Sequence, residues 1–221
     1  TFSGCTNLQK ITVPDSVVSF DFYAFENCTS LTDVILGESS QLAGVYEGAF
    51  YNCTSLVNIA LPNTVVEISD YTFYNCKSLE AIPLSDGAKL KQIGAYAFYG
   101  CENLLNVDFA NVEKIESMAF YGCMAYKEIK LPETVKEIGN YAFGYYCNEE
   151  LDDALAKIEN VTIFAKAETK AQEYAEENEF AFINLSDYTE CFEYLLADES
   201  DITGEAQAFI TGYKGCPYST D

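Results

Sequence analysis

Nine cysteines carry the most reactive side chains of this 221-residue sequence, and six of them share one column. Cys5, Cys28, Cys53, Cys76, Cys101 and Cys123 each lie three residues after a Phe. A nucleophilic thiol needs a positive neighbour to lower its pKa. The chain has no His and no Arg, and its net charge is −23. Zinc needs Cys or His converging at short spacing, and these are spread evenly. On stacked rungs, parallel Cβ vectors stay about 4.8 Å apart, beyond the ~3.8 Å mean of a disulfide. The column therefore reads as buried free thiols acting as small hydrophobes. Cys191 and Cys216 lie outside it and are the pair available to bridge the tail.

The missing residue types narrow the rest. Without His there is no ordinary general base, no Ser-His or Cys-His nucleophile, and no imidazole metal ligand. Twelve Lys against 35 acids leave no cationic surplus for phosphate, which excludes nucleic acid as a partner. Asp198, Asp201 and Glu205 lack the spacing of a calcium loop. No triad, close carboxylate pair or glycine-rich phosphate loop is visible. The expectation is a non-enzyme with no cofactor and no metal. No run approaches the ~18–20 apolar residues of a membrane span, so no direct membrane insertion is expected. Apolar residues make up 49% of the chain, enough for a packed core.

The elements that position these residues are repeats. Phe recurs at Phe2, Phe25, Phe50, Phe73, Phe98, Phe120 and Phe143, in steps of 22 to 25 residues. After each Cys come Leu8, Leu31, Leu56, Leu79, Leu104 and Tyr126, then Ile11, Val34, Ile59, Ile82, Val107 and Ile129. Two residues later stand Val13, Leu36, Leu61, Leu84, Phe109 and Leu131. That step of two is a strand period and points both side chains to one face. The steps of three mark a turn or short 3₁₀ segment at A-F-x-x-C. A second apolar pair precedes the next Phe, at Val66 and Ile68, Leu90 and Ile93, Val112 and Ile115, and Val135 and Ile138. One unit has too little apolar surface to fold alone, so the units must stack.

Tyrosines form two further columns. Tyr51, Tyr74, Tyr99 and Tyr121 follow the repeat Phe, and Tyr23, Tyr71, Tyr96 and Tyr141 sit two before it. They can form an aromatic strip for protein or glycan contact. Alternatively, the rings stack on neighbouring rungs and cover the turn side. The second reading is preferred, because aromatic ladders stabilise sheets and turns.

L-x-x-I-x-L-P joined to A-F-x-x-C resembles the BspA-type leucine-rich repeats of bacterial cell-surface proteins. The resemblance implies an α/β repeat solenoid, a right-handed leucine-rich repeat superhelix, strand-rich with short turns or 3₁₀ segments. It implies a parallel sheet on the concave side, with six rungs near 10–13, 33–36, 58–61, 81–84, 106–109 and 128–131. Solenoids usually bind on that face. Its outward residues include Asn58, Asn106, Asp108, Glu128 and Lys130, a mixed strip without a focus.

The array spans 1–147. Residues 148–185 are similar to the family's C-terminal, helix-containing cap, which covers the last rung's apolar face and strand edge. Leu151, Ala154, Leu155 and Ile158 have helical spacing. Residues 161–164 read as a strand. Thr169 with Gln172 reads as a capping box, with Ala171, Tyr174 and Ala175 on the buried face and Asn178 at the end. Residues 180–185 read as a last strand. Residues 186–221 form a linker hairpin leading toward a further segment, because 210–215 resembles the opening of a fresh repeat block. The chain begins midway through a unit, which suggests an upstream part.

The function expected is a non-catalytic, surface-exposed protein- or glycan-binding module for adhesion or host interaction. It acts outside the cell as a monomer on a neutral or basic partner, with a host matrix protein as one candidate. A structural spacer displaying another domain is the rival; an enzyme is the remote one.

Overall fold

The computed structural model describes residues 1–84, 87–148 and 154–188. Thr1–Ile183 forms one compact unit. A second unit starts at Asn184, and its described part is a 3₁₀ turn, Leu185–Tyr188. The expected tail hairpin, Cys191 and Cys216 lie outside the described residues.

Each rung crosses two parallel ladders. The first rung supplies β1 (Lys10–Val13) and β2 (Ser19–Phe20), and the second β3 (Asp33–Leu36) and β4 (Gly44–Val45). The third supplies β5 (Glu67–Ile68), and the fourth β6 (Ala81–Ile82) and β7 (Gln92–Ile93). The fifth supplies β8 (Asn106–Val107) and β9 (Lys114–Ile115), and the sixth β10 (Glu128–Lys130) and β11 (Glu137–Ile138). In the first ladder Ile11 registers with Val34 and Ile82 with Val107. Single bridges carry it past Asn58 and Leu61. The second ladder is the longer one, six strands in the order β11-β9-β7-β5-β4-β2. Its inward column is Phe20, Val45, Ile68, Ile93, Ile115 and Ile138.

The second ladder corrects one assignment. Val65, not Val66, points inward; Val65 is buried and Val66 is 49% exposed. Val65 stands three residues before Ile68, as Leu90, Val112 and Val135 stand before their own Ile, and an odd step at a turn reverses the side chain.

Between the ladders runs the turn A-F-x-x-C. The residue two before each Phe has positive φ, at Tyr23, Gly48, Tyr71, Tyr96, Met118 and Tyr141. The residue two after it does too, at Gly4, Asn27, Asn52, Asn75, Gly100 and Gly122. Asn and Gly adopt this left-handed region most readily. The arc then closes with i→i−3 bonds such as Cys53 N–H to the Phe50 carbonyl, 3.1 Å. The Phe rings pile on one axis from Phe2 to Phe143, with centroids 4.7 to 5.4 Å apart.

The end of the array departs from expectation. Tyr145–Asn148 is a strand, β12, paired antiparallel with β13, Ala154–Lys157. The expected helix through 151–158 is therefore replaced over 154–157, and residues 149–153 lie outside the described set. Leu155 is 47% exposed, Ala154 is exposed too, and among the described residues of the proposed face only Ile158 is buried. A helix this short is marginal alone, and the β12 edge offers ready backbone partners. β14, Thr162–Ala165, then pairs parallel with β10, and β15, Ala181–Asn184, extends that sheet.

Among the described residues the sole α-helix is α1, Lys170–Glu177. The fold is thus a strand-rich solenoid, not an alternation of strands and helices. Ala171, Tyr174 and Ala175 are its buried residues. Thr169 makes no side-chain cap; its hydroxyl donates to the Lys166 carbonyl, 2.7 Å, while Gln172 Oε1 accepts the Glu168 N–H, 2.8 Å.

Candidate functional site

The turn geometry brings the predicted tyrosines together. Left-handed residues on either side hold each Phe inward, so the following Tyr leans along the outside of the turn. Tyr51, Tyr74, Tyr99 and Tyr121 stack in one column, with centroids 4.6, 4.7 and 5.0 Å apart and ring planes within 10° of parallel. Tyr71 and Tyr96 form a shorter column, 4.9 Å apart. The two columns lean on each other through Tyr71–Tyr74 and Tyr96–Tyr99, each 5.9 Å.

This stacking decides what the strip can offer. Within the column each ring covers the facing side of the next, so a visiting molecule meets mainly edges and hydroxyls. Sugar stacking needs an open ring face, which the inner rings of the column do not present. Tyr51, Tyr74 and Tyr99 are half-buried, but Tyr121 is only 7% exposed. Its rung abuts β12, where the Tyr145 carbonyl accepts the Gly122 N–H, 2.7 Å. Burial pushes the Tyr121 phenol up to about 12. Burial first, then the neighbouring phenols, raises Tyr74 as well.

Asn58, Asn106, Asp108, Glu128 and Lys130 are all exposed. Asn58 registers with Asp33 and Ala81, and Ala81 with Asn106. Glu128 and Lys130 register with Thr162 and Phe164 of the terminal strand. Asp108 Oδ1 accepts the Ala110 N–H, 2.9 Å, in a local turn. Sequence distance separates this set from the tyrosines: Asn58, Asn106 and Glu128 each come seven residues after a column Tyr, past the C-x-x-L turn. The two sets are different sides of the rung.

The thiols are inward. Cys28, Cys53, Cys76, Cys101 and Cys123 are buried. Burial pushes Cys53 up to about 12 and Cys76 and Cys101 well above the ordinary thiol range. These are inert groups. Cys5 is a correction: it is exposed, and among the described residues no rung packs on its outer side. Among the described residues no three His, Cys, Asp or Glu groups are placed to hold a metal ion. Nor is any helix there long and apolar enough to cross a membrane.

Two features went unread in the sequence. Asn52 Nδ2 donates to Asn27 Oδ1 and Asn75 Nδ2 to Asn52 Oδ1, each 3.1 Å, an amide ladder along the turn. Its signal was Asn two residues after Phe in three successive units. The second is a split on the second ladder's outer side. Val18, Phe22, Tyr46 and Val66 are exposed at its early rungs. At its later rungs Glu113 bridges Lys91, 2.7 Å, and Lys136, 2.8 Å. Those lysines, Lys136 foremost, hold the Glu113 carboxyl down at about 2.

Comparison with known proteins agrees with this architecture. The repeat profile described as BspA type Leucine rich repeat region matches in six copies, over residues 1–111, 39–150 and 67–191. A leucine-rich repeat protein of Bacteroides ovatus is 27% identical with a TM-score of 0.61, covering 79% of this chain and 42% of that one. A leucine-rich repeat protein of T. pallidum is 29% identical with a TM-score of 0.54, covering 62% of this chain and 63% of that one. One from Eubacterium ventriosum is 27% identical with a TM-score of 0.51, covering 61% of this chain and 36% of that one. The chain thus spans less than two thirds of each of these structures. No curated protein matches it.

Proposed function

Because the chain belongs to the BspA-type leucine-rich repeat family, we propose that it is a non-catalytic module, exposed at a bacterial surface, that binds a protein. The observation that carries this reading is the tyrosine column. Tyr51, Tyr74 and Tyr99 repeat one half-buried edge at rung spacing along the solenoid axis. Repeated weak contacts of this kind suit avidity between surfaces. Tyr presents contact area at low entropy cost. The charge of −23 favours a neutral or basic partner, such as a host matrix protein. The buried thiols and the absence of His support the non-catalytic part.

The spacer reading takes support from the same stack, since rings covered by rings also serve rigidity. One experiment separates the two. Immobilised protein is screened against matrix proteins and glycans, then compared with the Tyr51→Phe, Tyr74→Phe, Tyr99→Phe triple variant. That variant keeps the stack and loses the hydroxyls. A protein hit weakened about tenfold or more by the triple variant supports binding. An unchanged hit moves the site elsewhere, and no hit at all favours the spacer.

A further inference from the structure

The outer face of the second ladder changes character along the stack. Its register sets Ser19 beside Gly44 and Val45 beside Ile68. Val18, Ala43 and Val66 therefore form one line across the first three rungs, and all three are exposed. Lys91, Glu113 and Lys136 continue that line, and there Glu113 bridges both lysines. Next to the early line, Gly44 lets the Tyr46 ring fold back over its strand. A Cβ at Gly44 would stand 3.1 Å from the ring's Cζ. Phe22 of the first rung stacks on that ring, with centroids 5.5 Å apart and planes 11° from parallel. Even so, Phe22 is 61% and Tyr46 43% exposed. In the fourth rung Ala95 and Gly94 hold the positions that Phe22 and Tyr46 hold in theirs. The early rungs thus carry an apolar face that the later ones lack.

We propose that this face docks a segment of a partner protein whose apolar and arginine side chains share one side. The apolar half of that chemistry follows from the face itself, which joins side chains of three rungs into one patch. The positive half follows from the carboxylates on the same rungs. Glu47 accepts the Tyr23 hydroxyl, 2.8 Å, Asp21 the Ser19 hydroxyl, 3.2 Å, and Asp70 the Ala95 N–H, 2.7 Å. Those donors are neutral and leave the charges uncompensated. Among the described ion pairs none uses an acid before Glu102. Residues 1–76 hold eight acids against one Lys, and that Lys10 belongs to the first ladder. Arg fits better than Lys, because its weakly hydrated guanidinium can lie against an aromatic ring and still reach a carboxylate. Charge also selects against the chain itself as occupant. Residues 189–221 carry seven acids and one Lys, and a second copy brings a further −23. The face shares no residue with the column of Tyr51, Tyr74 and Tyr99, and the proposal does not rest on the reading of that column.

The probe is a synthetic peptide, Leu-Ser-Arg-Ser-Val-Ser-Arg, whose apolar and Arg side chains share a side when extended. It is titrated against the intact chain, and amide NMR shifts map the contact. The expected result is shifts centred on 18–22, 43–47 and 66–70. Replacing Leu and Val of the peptide by Gly, or both Arg by Glu, should each weaken binding about tenfold or more. On the protein, the later rungs supply substitutions that a rung accommodates. Phe22→Ala with Tyr46→Ser copies Ala95 and Ser69, and Glu67→Lys copies Lys114. The double variant should weaken binding about tenfold and Glu67→Lys severalfold, with the remaining amide spectrum native. The Tyr51→Phe, Tyr74→Phe, Tyr99→Phe variant should bind the peptide unchanged, which separates this face from the tyrosine column. Equal affinity for the Gly or Glu peptides, shifts confined to other rungs, or no binding at millimolar peptide would overturn the proposal. So would concentration-dependent shifts of the same amides without peptide, which would make the occupant a second copy.

Discussion

The Cys76 thiol donates to the Phe50 carbonyl one rung earlier, at 3.1 Å. The same carbonyl accepts the Cys53 N–H of its own rung, 3.1 Å. The contact recurs from Cys53 to Phe25, Cys101 to Phe73 and Cys123 to Phe98. Each thiol is thus both a small core filler and a donor tying two rungs together. Cys76→Ala should cost about 1–3 kcal/mol, from the lost volume and the lost bond. Urea denaturation measures it, and an unchanged midpoint would deny the thiol this role.

The same burial gives the fold an alkaline limit. The Cys53 thiol moves from an ordinary 9.0 to about 12 on folding. Below 9 folded and unfolded chains both hold the proton. Above it the unfolded chain releases the proton first, so stability falls as pH rises toward 12, by up to ~1.4 kcal/mol per pH unit for each such thiol. Denaturation midpoints across that window should fall steadily, and native thiol titration near neutrality should find Cys53, Cys76, Cys101 and Cys123 silent. A flat alkaline profile is the contrary result.

Glu113 should behave oppositely. Its folded carboxyl sits at about 2 against an ordinary 4.5. The stabilisation is present above 4.5 and is lost as pH falls toward 2. Because both lysines are solvent-exposed, high salt should move its titration back toward the ordinary range. Carbon-detected NMR of the carboxyl follows both effects; a midpoint near 4.5 at low salt would show the two lysines are not engaged.

Asn52 tests the amide ladder against the backbone. Its φ is 58°. Asn52→Gly keeps the conformation and loses two side-chain bonds, a cost of about 1–2 kcal/mol. Asn52→Ala adds left-handed strain, about 1 kcal/mol more. Comparing the two by thermal or urea unfolding isolates each contribution, and equal stability of the pair would remove the strain argument.

Tyr174 ties the terminal helix to the last rung. Its hydroxyl accepts the Phe143 N–H and donates to the Phe143 carbonyl, each 2.9 Å. Tyr174→Phe leaves both buried groups without that partner, so we expect a loss of about 1–3 kcal/mol. If residues 148–185 act as the cap of the stack, the loss should appear as one cooperative shift of the whole transition. A separate early phase confined to the helix would argue against that role.

The sequence by itself determined the rung. The column of Phe, Cys, Leu and Ile, from Phe25 to Ile129, is a local pattern repeated five times. A strand period of two and turn steps of three can satisfy it in one way only, with those side chains inward. The BspA-type resemblance rests on that same spacing. Tertiary structure decided what depends on neighbours in space. Leu155 and Ile158 have a helix period, yet the β12 edge draws 154–157 into a strand, because paired backbone outweighs a short helix's weak propensity. Val65 and Val66 are alike in chemistry, and only the turn before β5 sets which one enters the core. Cys5 and Cys53 occupy equivalent positions, but among the described residues only Cys53 is packed between two rungs and buried. The tyrosines are where this matters most. The sequence places them in one column, but only stacking at rung distance covers their faces, buries Tyr121 and leaves edges and hydroxyls as the surface on offer.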